Sequence, residues 1–446
     1  MNFLDRAATV APPGFSRWFV PPAAIAVHMC IGQVYGFSVF KKPLAKALGI
    51  TAPAAGDWSE ADVGVAYSIA LALLGLSAAV FGKWVERSGP RKTMLASLAC
   101  FCSGLVLTSL AVRWHQLWLL YAGYGLIGGI GLGLGYISPV STLMKWFPDR
   151  PGMATGMAIM GFGGGALIGG PLAEELMKHF ASATSVGAEE ALLVMAGLYA
   201  VSMAFGATIV RVPPPGWHPD GWEPKEHTKA LVTNANVAVD VAWKTPQFWL
   251  LWIVLCMNVS AGIGILGQAS PMIQDMFHVT PAAAAGYVGL LSLCNLAGRF
   301  FWSSISDLTG RKGVYCLYFV LGAALYMSVP WTQGRGSVTL FVVLTGLILT
   351  MYGGGFATIP AYLRDLFGTH QVGAIHGRLI TAWSMAAILG PQLVDRLSAA
   401  NKKTMPPEQA YNSIFFLMVA LLLVGLVANL LVRPVDPKYH LKEDAA

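Results

Sequence analysis

The chain has 446 residues, is 55% hydrophobic and 11% charged, and carries a formal net charge of +7. Soluble proteins carry roughly 25% charged residues, so this composition argues against a string of soluble domains. Nucleic-acid binding needs a basic face on a soluble module, and the sequence offers none.

A bilayer core takes roughly 20 consecutive apolar residues per helix. Twelve such runs are legible, near 18–40, 61–82, 93–112, 116–144, 152–178, 189–211, 247–273, 283–304, 313–331, 336–363, 374–396 and 410–432. They are expected to be helices, because only helices and closed barrels satisfy their own backbone groups in lipid. The first run is too long for a signal-peptide core and no small-residue cleavage site follows it, so it is expected to remain as the first span. It carries His28 near its centre, then Gln33 and Tyr35. Trp18 at its start and Trp331 in the ninth run read as interfacial anchors.

The loop after the second run is Glu86-Arg-Ser-Gly-Pro-Arg-Lys92. Its charges, with those of its later copy, suit a latch between helix ends that gates one side, with Glu86, Arg91 and Asp307 as the main members. The fourth and fifth runs are crowded with glycine at small-xxx-small spacing: Gly125, Gly129, Gly133 and Gly161, Gly165, Gly169. Such faces let helices approach closely. Gly123-Tyr-Gly-Leu-Ile-Gly128 also fits the dinucleotide-binding pattern, but no strand precedes it and lipid-length apolar sequence surrounds it, so packing is the better reading. Tyr124 and Tyr136 lie in the same run. The polar stretch after the sixth run, with Pro213-Pro-Pro-Gly216, reads as a linker over 212–245 between an N-terminal bundle (1–211) and a C-terminal bundle (246–446).

The eighth run holds Arg299 with no other charge over 286–304. A cation in a bilayer costs roughly 2.5–3.5 kcal/mol on insertion scales, so it usually faces a polar cavity or a partner. No carboxylate lies in the middle of any apolar run. The anion that Arg299 needs is therefore expected to be a ligand. Snorkelling to the surface is the competing reading. Arg299 lies eight residues before Asp307, roughly 12 Å deep at 1.5 Å per residue. Helical side chains tilt toward the helix N-terminus, and this span should run from outside to inside, so the guanidinium leans toward mid-membrane. Tyr352 and Phe356 of the tenth run join Gln33, Tyr35, Tyr124 and Tyr136 as rings, hydroxyls and amides able to cage a small carboxylate. In the eleventh run Arg378 leans the other way, toward cytoplasmic water, and suits a gate or a snorkelling side chain. His376 beside it and His28 are the candidate proton carriers in a core without acids.

The halves repeat. The Glu86–Lys92 loop recurs as Asp307-Leu-Thr-Gly-Arg-Lys312, Phe147 as Phe367, and Gly170-Pro171 as Gly390-Pro391, each about 220 residues later. One offset for three landmarks supports two six-helix halves related by pseudo-symmetry around a central cavity. With both termini inside, Lys and Arg outside the runs divide about two to one in favour of the inside. The chain is thus expected to be an all-α, multi-pass plasma-membrane protein (a bacterial inner membrane) with cytoplasmic termini. The six cysteines all fall in apolar runs, which gives neither a disulfide framework nor a zinc site. No cofactor or metal is expected, and the unit is expected to act as a monomer in the lipid bilayer.

The loop Gly82-Lys-Trp-Val-Glu-Arg-Ser-Gly-Pro-Arg-Lys92, its second copy and the twelve runs resemble the major facilitator superfamily across nearly the whole chain. Two segments resemble the oxalate/formate antiporter family more narrowly: Gly32-Gln-Val-Tyr-Gly-Phe-Ser-Val-Phe-Lys-Lys-Pro43 and Asn295-Leu-Ala-Gly-Arg-Phe-Phe-Trp-Ser-Ser-Ile-Ser-Asp307. That resemblance implies carboxylate binding by Arg299, with the family's first-span glutamine at Gln33. The family's eleventh-span lysine falls on Trp383, in Gly377-Arg-Leu-Ile-Thr-Ala-Trp383. One cation beside a large ring suits a monoanion such as formate, lactate or pyruvate. The expectation is a secondary transporter working by alternating access, with exchange or proton symport. An oxalate or other dicarboxylate exchanger and a transporter-like sensor are the alternatives. No Walker loop, His-Glu-x-x-His or Gly-x-Ser-x-Gly pattern supports an enzyme.

Overall fold

The computed structural model describes residues 3–222, 231–233, 235–406 and 409–441. The expected linker 212–245 therefore lies partly outside the described residues. Among the described residues, twelve helices are long and apolar enough to cross a membrane. They are α1 (Arg17–Gly36), α2 (Glu60–Ser88), α3 (Pro90–Arg113), α4 (Leu117–Trp146), α5 (Pro151–Phe180) and α6 (Ala188–Ile209), then α7 (Pro246–Leu266), α8 (Gly286–Thr309), α9 (Arg311–Gly334), α10 (Val338–Phe367), α11 (Val372–Ser398) and α12 (Asn412–Leu431). The apolar runs of the sequence are these helices, with edges moved by a few residues.

Local chemistry sets the helix ends. Ser59 and Asp62 form a reciprocal capping box that starts α2, satisfying backbone donors that a helix leaves open. Gly89 ends α2 at φ 81° and Gly310 ends α8 at φ 87°, a region that glycine enters without penalty. Each is followed at once by a new helix, beginning at Pro90 and Arg311. The repeated Gly in the two loop copies is thus a repeated helix–helix corner.

Three spans are irregular. The last turn of α1, Gln33–Gly36, tightens to a 3-10 helix. The stretch Tyr121–Gly128 of α4 is wound as a π-helix, and α11 is interrupted between Leu379 and Thr381. These distortions fall on or beside Gln33, Tyr35, Tyr124, Arg378 and Trp383, which the sequence had singled out. π-Helical turns are frequent at functional sites.

The chain clusters into two compact units: Met1–Asp149 with Met157–Glu223 and Gly373–Ser384, and Arg150–Gly156 with Pro224–Val372 and Met385–Ala446. The first unit thus includes the start of α11, and the second includes the start of α5. In the first unit small residues bring backbones together. A Cβ on Gly165 would meet Gly32 C at 2.4 Å and Met29 O at 2.5 Å, so α5 and α1 pack at a distance only glycine allows. Large apolar side chains such as Val80, Val201 and Val427 stay exposed on the helix flanks, as lipid-facing positions require.

Candidate functional site

In the second unit Arg299 is fully buried. Its Nε donates to Oδ1 of Asn295 at 3.2 Å, one helical turn earlier on α8. Its guanidinium carbon lies 5.1 Å from the ring centroid of Phe356 on α10. Both neighbours fix the side chain without neutralising it: an amide oxygen accepts a hydrogen bond, and a ring face attracts a cation. The backbone makes room. A Cβ on Gly353 would stand 2.6 Å from Asn295 Oδ1 and 3.1 Å from Arg299 Cγ. Tyr352, buried beside Phe356 in sequence, packs its ring against the Cβ position of Gly262 on α7. Asn258 on α7 is buried, and its Oδ1 makes no hydrogen bond among the described residues.

The first unit holds a box of rings. Tyr136 of α4 stands 5.5 Å from His28 of α1, 5.5 Å from Phe162 of α5 and 5.6 Å from His376 of α11, centroid to centroid. Trp383, fully buried, lies 6.5 Å from Phe162 and 6.4 Å from Tyr35. Gln33 is fully buried and neither amide atom finds a hydrogen-bond partner among the described residues; the same holds for the hydroxyls of Tyr35, Tyr124 and Tyr199. Gln33 and the Tyr199 hydroxyl converge on Gly169, where a Cβ would meet them at 2.8 and 3.0 Å. Buried polar atoms are usually satisfied, which sets this group apart among the described residues. Tyr124 belongs to a different contact, 4.2 Å from the ring of Phe37.

The expected binding residues therefore fall in two groups: Gln33, Tyr35, Tyr136 and Trp383, with Tyr124 nearby, in the first unit, and Arg299, Tyr352 and Phe356 in the second. Asn295 and Phe162 escaped the sequence reading. Asn295 had a signal, its i, i+4 spacing from Arg299 on one helix face. Phe162 had none, since its flanking glycines read only as packing.

The charged loops are wired differently from their sequence likeness. Glu86 pairs with Lys145 of α4 at 2.8 Å and accepts from the Ser141 hydroxyl at 2.9 Å. Arg91 donates to the Phe3 carbonyl at 2.8 Å and lies 4.3 Å over the Phe3 ring. In the second unit Arg311 bridges Asp307 at 2.6 Å and Asp365 of α10 at 3.1 Å. Asp307 also accepts the backbone N–H groups of Gly152 and Met153, a carboxylate at a helix N-terminus where the dipole favours it. Arg378 is half-buried, and its carbonyl accepts the Thr381 hydroxyl at the break in α11.

Twelve membrane-length helices among the described residues, with buried polar side chains within each of the two units, define a multi-pass membrane protein. The family model of the Major Facilitator Superfamily matches residues 23–391 and 259–446, and the chain belongs to that superfamily. It is similar to the uncharacterized MFS-type transporter YhjX of Escherichia coli strain K12, with 26% identity over 84% of this chain and 86% of that protein. It is similar to the oxalate:formate antiporter of Oxalobacter formigenes, with 25% identity over 84% and 83%. Similarity extends to apicoplast pyruvate carrier 1 of Toxoplasma gondii, with 26% identity over 68% and 63%. The fold matches a bacterial homologue of the iron transporter ferroportin in its outward-facing state, with a TM-score of 0.65, 15% identity, and 92% and 98% coverage.

Proposed function

We propose that this transporter carries small organic anions, most readily monocarboxylates of the formate, lactate or pyruvate class. The carrying observation is Arg299: a guanidinium fully buried in a helix core that has no mid-span carboxylate, positioned by an amide and a ring. A substrate carboxylate suits a guanidinium, whose N–H groups can donate in parallel to its two oxygens. Binding energy concentrated on one such charge pair can favour a closed state of the cycle, as alternating access requires. Trp383, buried among rings where the antiporter family has a lysine, supports a monoanion over a dianion. The relatives named for oxalate, formate and pyruvate support the carboxylate class. The bias of Lys and Arg supports cytoplasmic termini in a plasma membrane.

Dianion exchange is the second reading, favoured by the similarity to the oxalate:formate antiporter. Purified protein in liposomes distinguishes the two. Labelled formate, lactate and pyruvate are expected to enter saturably and to be inhibited poorly by oxalate. Preference for oxalate over every monoanion reverses the assignment, and saturable binding without flux favours a sensor.

A further inference from the structure

His28 is fully buried near the centre of α1. Both of its ring nitrogens face backbone carbonyl oxygens: Nδ1 contacts the carbonyl of Ala158 on α5, and Nε2 the carbonyl of Tyr136 on α4 at 3.0 Å. A carbonyl only accepts hydrogen bonds. A neutral imidazole carries one N–H, so it satisfies one carbonyl and turns a lone pair on the other. The imidazolium carries two, and donates to both. The Tyr136 ring stacks on the imidazole at an interplanar angle of 24°, an added attraction for the cationic form. A burial site that desolvates a charge would ordinarily oppose it; here two charge-assisted hydrogen bonds and a ring face offset that cost.

From this geometry we propose that His28 is the proton-binding site of the transport cycle, a function that rests on the anion-carrier reading above. The imidazolium holds one proton between α1, α4 and α5, and release of that proton breaks one of the two bridges. One proton moved with one monovalent anion makes the step electroneutral. Among the described residues of this unit, titratable groups near His28 include Tyr136 from α4 and His376 from α11, whose imidazole stands 5.6 Å from the same Tyr136 ring. His376 is fully buried, and neither of its ring nitrogens is hydrogen-bonded among the described residues. α5 presents Ala158, Gly161 and Phe162, none of which titrates. Gly161 brings α5 close, since a Cβ there would stand 3.1 Å from the His28 Cβ.

The test has two arms. In proteoliposomes, uptake of labelled pyruvate, lactate and formate is measured with an inward proton gradient and, separately, as exchange without one. The wild-type protein is expected to accumulate a monocarboxylate under the gradient, and His28→Gln, if it elutes as a monodisperse species, is expected to fall to the undriven level. In the second arm, the protein labelled with 15N-histidine is examined by NMR near neutral pH, with the His28 signals assigned by their loss in His28→Gln. Both ring nitrogens of His28 are expected to be protonated. Gradient-driven uptake by His28→Gln at the wild-type level overturns the proposal, as does a neutral His28. Wild-type exchange that ignores the gradient removes the coupling and leaves the anion reading standing. If no carboxylate moves in either mode, the anion reading fails, and the NMR arm alone decides whether His28 binds the proton.

Discussion

Asn295 and Phe356 decide what Arg299 can do. The amide holds Nε, and the Phe356 ring lies 5.1 Å from the guanidinium carbon. Hydrogen bonds to charged groups contribute roughly 1.5–3 kcal/mol, so Asn295→Leu is expected to raise the concentration for half-maximal uptake by about tenfold or more while the protein still inserts. An unchanged half-saturation would mean that Asn295 has no part in presenting the guanidinium. Helix direction and the backward tilt of side chains give Arg299 and Arg378 opposite expected leanings in the sequence; in the structure Arg299 is buried and Arg378 half-buried. The two carbonyls around His28 were not legible, since they belong to α4 and α5 and reach the imidazole only through tertiary packing.

At the scale of helices and loops, glycine spacing in α4 and α5 read directly as close approach, and Gly165 against Gly32 is such a place. The atoms in the way are backbone and cannot rotate aside, so Gly165→Val is expected to lower the thermal midpoint in detergent, with an overpacking cost of roughly 1–3 kcal/mol or more. Gly197 of α6 has open space where its Cβ would stand, and Gly197→Ala is expected to leave that midpoint unchanged or raise it slightly. Equal loss from both changes would contradict the packing account. The loop wiring was less legible. Arg91 and Arg311 occupy matching places in the repeat, yet one meets a carbonyl and ring of the N-terminal arm and the other two carboxylates. The difference comes from Lys145 and Asp365, residues at equivalent points of α4 and α10 with opposite charge.

The loop before α2 gives a pH prediction outside the membrane spans. Asp57 accepts backbone hydrogen bonds from Leu48 at 2.8 Å, Gly49 at 3.1 Å and Ala54 at 2.8 Å. Desolvation pushes its carboxyl up, but the three donors and nearby His115 outweigh that and hold it below the ordinary Asp value. A lowered carboxyl stabilises the fold above its unfolded value, about 3.9, and that contribution is lost as pH falls through the folded value. The amides of Leu48, Gly49 and Ala54 are therefore expected to be protected from hydrogen exchange at neutral pH and to lose protection as the pH falls well below 4, after correction for intrinsic rates. Asp57→Asn should weaken protection already at neutral pH. Protection independent of both pH and this substitution would contradict the assignment.

For the whole molecule, the twelve spans and the two-fold repeat followed from lipid-length apolar runs and one recurring offset. A bilayer leaves so few backbone solutions that hydropathy alone reaches the fold class. The irregular turns at Gln33–Gly36 and Tyr121–Gly128 were beyond it, because apolar, glycine-rich sequence is equally compatible with regular and distorted helix. The anion-carrier account depends at this scale on a single buried guanidinium. Saturable uptake of labelled monocarboxylates into proteoliposomes, compared between the wild-type protein and Arg299→Gln at matched, monodisperse incorporation, tests it most directly. The account predicts that Arg299→Gln abolishes the saturable component. Uptake by Arg299→Gln with wild-type rate and half-saturation would contradict it.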